Sequence, residues 1–498
     1  AVLVIAMGAP AASAAGPSGA GPQPAGGPVH RAAPSPGAPG LGDRLYPGLG
    51  NGGYDALSYT LTLDYRGSDR PLDAVTAVDI RATRALSRFN LDFAHGTVRS
   101  VRVEGKPAAF RREGEELVIT PAAPVRRGAR PRIEVRHTSD PRGKGPEHGW
   151  LRTRDGLVMA NQADAAHRVF PCNDHPSDKA LFTFRVTAPE KLTVVASGLP
   201  QGRTTRDGRT TWTYRSERPM APQVAQVAIG DLAVVRRQGP RGLLLRDAIA
   251  PRDRSRLEPL LSRTPAHLAW LERRLGRFPL EAYGVLSADA EPGFALETQT
   301  LSLFPRKLLL RGKDAEPVMV HELAHQWFGN SVSPATWSDL WLSEGHATWY
   351  EWTYAARRRG TDPADTFRAA YAADQELRRA GGPPAAPLPP KPGERNKLAV
   401  FRGNVYSGGA LALYALRQEI GPEAFDTLQR EWVERHRDSA ASTADFIALA
   451  SRTAGRDLKP FLTRWLYGRT TPPMPGHPDW RTGTDAARSI PQGTPGRR

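Results

Sequence analysis

His321 and His325 stand four residues apart in the run HELAH, and that spacing can carry metal chemistry. The segment Val318–Asn330 contains no Pro and no Gly before Gly329, which predicts a helix, and residues four apart on a helix leave the same face. Two imidazole nitrogens then reach one ion. Glu322 stands beside them, close enough to hold a water at that ion without ligating it. A catalytic zinc takes three protein ligands and keeps one position open. Eighteen residues (326–343) separate His325 from Glu344, which lies at the start of a second helical run, SEGHATWYEW. His321, His325 and Glu344 are therefore the candidate ligands of one zinc ion, and Glu322 is the candidate acid–base. His346 also lies in this run, but two positions along a helix turn it to the far side.

Spacing separates this site from other zinc peptidase patterns. Metzincins need Gly three and His six positions after the second His, where this chain has Phe328 and Ser331. Thermolysin itself places an Asp four residues after the ligand Glu, where this chain has Thr348. HELAHQWFGN, the eighteen-residue gap and WSDLWLSEGHATWYE instead resemble the gluzincin aminopeptidases of the aminopeptidase N and leukotriene hydrolase family. The resemblance runs roughly from Gly42 to Tyr467. It implies an α+β chain in which an N-terminal, all-β, saddle-like domain precedes a thermolysin-like, mostly helical zinc-peptidase domain.

The elements that must position these residues follow from periodicity. Leu57, Tyr59, Leu61, Leu63 and Tyr65 alternate with small or polar residues, the pattern of a half-buried strand. Similar runs recur around Val101–Val103, Leu117–Ile119, Ile133–Val135, Phe182–Val186, Leu192–Val195 and Trp212–Tyr214, which predicts a β domain over about 43–235. After Asp231 the period becomes helical, with Leu257, Leu260, Leu261, Leu268, Leu271 and Leu275 on one pattern. A catalytic domain over 236–470 is expected, with later helices near Phe425–His436, from the capping sequence Ser442–Asp445, and over Leu458–Tyr467. Residues 471–498 read as a disordered Pro/Gly-rich tail. The resemblance implies that the long C-terminal helical domain of larger relatives is missing, since 28 residues follow Thr470.

The resemblance also assigns roles outside the zinc run. EPGFALETQT (291–300) stands where the family carries an edge strand with a Gly-x-Met-Glu-Asn motif; the Glu is kept as Glu297, and Phe294, Leu296 and Thr298 replace Gly, Met and Asn. A carboxylate there binds a free α-ammonium group through charge-assisted hydrogen bonds, and the backbone at Ala295 faces the substrate. Gln162, ahead of VFPCND, falls where the family places a side chain near the same amine. Tyr406 matches the tyrosine that stabilises the oxyanion and is expected just before a helix. Asp339 and Glu351 are both candidates for orienting a ligand imidazole.

Composition sets the remaining bounds. A chain of 498 residues with 40% hydrophobic and 8% aromatic residues makes two or three globular cores. The net charge of +17 comes from scattered Arg with no nucleic-acid motif, so it reads as a solvated basic surface. Residues 1–14 form a short apolar run ending in Ala12-Ser13-Ala14, the shape of a partial signal peptide. Residues 15–42 are a flexible Pro/Gly/Ala lead-in. Cys172 is the single cysteine, so the fold has no internal disulfide. The expected protein is a secreted zinc aminopeptidase acting on peptides, with no nucleic-acid partner and no stable membrane anchor. A zinc endopeptidase and a non-catalytic peptide binder are the alternatives.

Overall fold

The computed structural model describes residues 33–143, 148–290, 292–391 and 400–483. The expected signal peptide and most of the lead-in lie outside the described residues. Alternation builds the first half of the fold as expected. In the strand Tyr54–Asp64, Tyr59, Leu61 and Leu63 are fully buried while Thr60 and Thr62 face outward. This strand is central to an eight-stranded sheet, lying between Leu72–Ala82 and Leu181–Pro189. Two four-stranded sheets cover its inner face, and one aromatic-rich core containing Tyr59, Phe89, Trp150, Phe170 and Phe182 fills the space between. Val227–Gly230 is the last strand of these layers.

The strand Ala233–Gln238 already pairs with Leu244–Ile249 in a second sheet, which continues through Val285–Ala288 to Ser302–Pro305. Among the described residues ten helices accompany it: α1 (Arg254–Leu261), α2 (Thr264–Leu275), α3 (Arg306–Leu309), α4 (Glu316–Ala324), α5 (Trp341–Arg359), α6 (Pro363–Gly381), α7 (Gly403–Ile420), α8 (Pro422–Arg435), α9 (Thr443–Ala454) and α10 (Lys459–Tyr467). Local signals set several ends. Asp362 caps α6 with Pro363 at its first position, Ser442 and Asp445 form a capping box on α9, and α5 stops at Gly360 in the left-handed region (φ 68°). Trp327, Trp337, Trp341, Trp432 and Trp465 are buried in the helical core.

Three features differ from the sequence reading. Helix α4 ends at Ala324 rather than near Asn330, because Asn330 N–H returns to the His325 carbonyl (3.0 Å) and Ser331 N–H to Gln326 (3.1 Å), a wider turn than an α-helix. The edge expected over 291–300 is a single bridge, Leu296 exchanging two 2.8 Å bonds with Leu303. The described part of the tail is packed: Met474 and Trp480 are buried, Trp480 stacks on Tyr414 (5.6 Å, 11°), and the Tyr371 hydroxyl donates to Pro472 (3.0 Å).

Candidate active site

Helices α4 and α5 bring the three candidate ligands together. The His321 and His325 rings lie 4.8 Å apart, and Glu344 enters from the first turn of α5. Glu344 Oε2 is 3.4 Å from His321 Nε2 and 3.3 Å from His325 Nε2. Ligands about 2.05 Å from a tetrahedral zinc stand about 3.3–3.4 Å from one another, so these separations fit that ion. All three side chains are buried, and Glu344 Oε2 has no hydrogen-bond donor among the described residues.

The outer ring nitrogens are also held. His321 Nδ1 meets Glu351 Oε2 at 3.0 Å, and His325 Nδ1 meets the Phe328 carbonyl at 3.0 Å and Ser343 Oγ at 2.9 Å. Each ring thereby presents Nε2 inward. Gly329 permits this turn: its φ is 118°, and a Cβ there would lie 2.4 Å from Ser343 Oγ. Of the two orienting candidates, Glu351 reaches the centre. Asp339 does not; it binds Thr336 and Thr443 on the far end of the loop. His346 faces away, bonded to the Leu342 carbonyl (2.7 Å) and stacked on Phe328 at 4.1 Å.

Glu322, Glu297 and His325 place one ligand atom each within 4.8 Å of one another. Burial pushes Glu322 up to about 8, against the pull of His321 and His325 and with the help of Glu297 and Glu344. Burial likewise raises Glu297. Burial opposes charge on Glu344 too, but His325 and His321 outweigh it and hold that carboxylate down at about 2. Burial thus opposes charge on Glu322 and Glu297, while the two imidazoles favour it on Glu344.

Gln162 Nε2 donates to Glu297 Oε1 at 2.6 Å, across 135 positions of chain. Tyr406 lies in the first turn of α7, not ahead of it, with its ring 6.1 Å from His321 and nearly parallel (18°). Burial keeps its hydroxyl protonated, reinforced by the Glu344, Glu297 and Glu322 carboxylates. Ala295 is half-buried and packs toward the core between α1 and α3. Because Leu296 spends both backbone groups on Leu303, the backbone of Ala295 faces the opposite side of this segment. Gln326 and Asn330, quoted in the motif but given no role from sequence, both donate to the Glu297 carbonyl (3.2 and 2.7 Å).

Helices α5 and α7 meet glycine to glycine. A Cβ on Gly345 would lie 2.9 Å from Gly409 Cα, and one on Gly409 would lie 2.9 Å from Gly345 Cα. Only the missing side chains let Glu344 and Tyr406 face one centre from adjoining helices.

Two imidazoles from α4 and its C-cap, a carboxylate from α5 and a further carboxyl beside them form a group that could hold a metal ion, in the arrangement expected of a gluzincin centre. Residues 261–465 match the peptidase family M1 domain and residues 154–222 the peptidase M1 N-terminal domain. An M1 zinc metallopeptidase mutant from Deinococcus radiodurans, solved with a Tyr-Ser-Ala substrate, is 29% identical with a TM-score of 0.75, covering 88% of this chain and 100% of its own. A two-domain M1 zinc metallopeptidase mutant bound to L-tryptophan is 30% identical with a TM-score of 0.76, covering 88% and 99%. Aminopeptidase N of Streptomyces lividans is 24% identical over 439 residues, 82% of this chain and 50% of its own length. The chain spans 65%, 42% and 33% of the first three curated relatives it matches. The chain belongs to peptidase family M1. Among the described residues, no helix is long and apolar enough to cross a membrane.

Proposed function

We propose that this protein is a zinc aminopeptidase that releases N-terminal residues from peptides. The observation that carries this reading is Glu297, a buried carboxylate bonded to Gln162 and within 4.8 Å of the Glu322 and His325 atoms. A carboxylate and an amide oxygen so close to the reacting centre select a free α-ammonium group, which an internal peptide bond lacks.

His321, His325 and Glu344 would hold one zinc ion, which supplies Lewis-acid polarisation of the scissile carbonyl and lowers the pKa of water. Glu322, buried beside His325, takes the proton from the attacking water and returns it to the leaving amine. Tyr406 donates its hydroxyl hydrogen to the developing oxyanion. Glu297 and the Gln162 carbonyl oxygen hold the α-ammonium. The backbone at Ala295, turned away from Leu303, would meet an extended peptide. The D. radiodurans relative's bound tripeptide supports a peptide substrate for this chain as well.

The test is hydrolysis of one peptide set, each supplied with a free and an acetylated N-terminus, by zinc-loaded protein with Glu322→Gln as control. Single-residue release from the free form alone is the expected result. Equal cleavage of both forms would move the assignment to an endopeptidase, and no cleavage by zinc-bound protein to a peptide-binding protein. Export is also part of this reading. It rests on the sequence of residues 1–14, and recovery of the protein from culture medium with its N-terminus at or after Ala15 would support it.

A further inference from the structure

An enzyme that counts from the N-terminus must fix two points at once. In a peptide the α-nitrogen and the carbonyl carbon of the same residue are about 2.5 Å apart, set by bond lengths of about 1.46 and 1.52 Å. The group that binds the amine must therefore be registered to the group that activates the carbonyl, and an error of about 1 Å costs on the order of a hundredfold in rate. Glu297 and His325 come from different elements, an edge segment and the end of α4, so something must join them.

Asn330 joins them. Its backbone N–H donates to the carbonyl of His325 (3.0 Å), and its side-chain Nδ2 donates to the carbonyl of Glu297 (2.7 Å). Its own carbonyl accepts from Lys179 Nζ at 2.6 Å, and that ammonium also donates to the Ser331 carbonyl at 2.7 Å. Lys179 comes from the same segment as Gln162, the other amine-site residue. Gln326 adds a second amide donor to Glu297 (3.2 Å) and accepts from Thr300 N–H (3.0 Å). Asn330 and Gln326 are fully buried, so no water replaces these bonds cheaply.

We propose that Asn330, clamped by Lys179, is the positioning residue that registers the amine-binding carboxylate Glu297 to the ligand His325 and so sets where the peptide is cut. This rests on the aminopeptidase reading above. Asn330 touches no substrate; it acts through the main chain of Glu297.

The experiment compares wild type with Asn330→Ala, Asn330→Asp and Lys179→Met as full-length zinc-loaded proteins. It measures kcat and KM on one tripeptide amide with a free N-terminus, cleavage of its acetylated form, zinc content, and calorimetric binding of leucinamide to the zinc-loaded proteins made inactive by Glu322→Gln. Asn330→Ala is expected to lower kcat/KM on the free peptide by about tenfold or more and to weaken leucinamide binding, with the acetylated peptide still uncut and zinc still stoichiometric. Asn330→Asp sets an oxygen against the Glu297 carbonyl and should do worse. Lys179→Met keeps the Asn330 side chain and should fall in the same direction by a smaller factor; it carries the test if the Asn330 variants do not fold. A kcat/KM on the free peptide and a leucinamide affinity equal to wild type in the variants would overturn the proposal. So would a loss of kcat/KM on the free peptide with leucinamide binding unchanged. Wild type with no preference for the free amine would instead defeat the aminopeptidase reading, and the proposal with it.

Discussion

Glu351 Oε2 lies 3.0 Å from His321 Nδ1, two helical turns beyond Glu344 on the same helix. One face of α5 thus supplies both a ligand and the anchor of another ligand. Glu351→Ala should weaken zinc binding by about 10- to 100-fold, because the imidazole loses both its fixed orientation and part of its basicity. Competition with a calibrated chelator measures it. An unchanged zinc Kd would reduce Glu351 to a helix-surface carboxylate.

Asp339 provides the contrast. It accepts from Thr336 Oγ1 (2.7 Å) on one side and from Thr443 N–H and Oγ1 (2.8 and 2.7 Å) on the other, pinning the loop before α5 to the start of α9. Asp339→Ala should cost about 2–4 kcal/mol of stability, the range for several hydrogen bonds to a buried carboxylate, while zinc affinity stays at the wild-type value. Urea unfolding beside a zinc titration separates the two effects. A loss of affinity comparable to that of Glu351→Ala would return Asp339 to the centre.

Tyr406→Phe keeps the ring against His321 and removes only the hydroxyl. Loss of one oxyanion donor costs about 3–4 kcal/mol of barrier, so kcat should fall at least about a hundredfold while KM changes little. Steady-state kinetics on a free-amine peptide give both numbers. A KM effect without a kcat effect would make Tyr406 a binding residue.

His137 sits in the β-domain core between Thr76 Oγ1 (2.9 Å) and the Thr138 carbonyl, and burial lowers it to about 4. Its folded pKa is depressed below the unfolded value of about 6.5, so the unfolded chain takes up the proton first as pH falls. The stability contributed by the neutral ring is complete above about 6.5 and declines between about 6.5 and 4, by roughly 3 kcal/mol in all. His137→Gln should therefore be most destabilising relative to wild type at pH 7 and progressively less so at pH 5.5 and 4. Urea midpoints at those three values check it; a constant difference would mean that His137 titrates normally.

The clustering of the candidate ligands was legible because a helix turns a four-residue spacing into a shared face, and the next helix begins where Glu344 falls. Strands such as Tyr54–Asp64 were legible because a period of two leaves little choice of face. Glu351 and Asp339 were equally plausible in the sequence; the difference is that Asp339 is captured by Thr443, 104 positions away, which no local pattern encodes. Gln326 and Asn330 carried a weak signal, two amides inside the motif, but their partner Glu297 comes from a separate segment. Trp480 could have been suspected in the tail, since an indole in a Pro/Gly-rich stretch needs a place to pack, and it found Tyr414.

Gly409 tests how tightly the centre depends on helix spacing. Its new Cβ in Gly409→Ala would stand 2.9 Å from Gly345 Cα and 3.4 Å from the Trp341 carbonyl, both backbone atoms that cannot rotate away. Helices α5 and α7 must then separate, and overpacking of this kind costs about 1–3 kcal/mol. The separation carries Tyr406, three residues before Gly409, away from Glu344, one residue before Gly345. His321, His325 and Glu344 all lie on the α4–α5 side of this contact, so zinc should remain bound while kcat falls, and Gly409→Ala combined with Tyr406→Phe should be little slower than Tyr406→Phe alone. Kinetics on the two single variants and the double variant decide it: independent, multiplicative losses would show that the glycine contact serves stability and does not place the tyrosine.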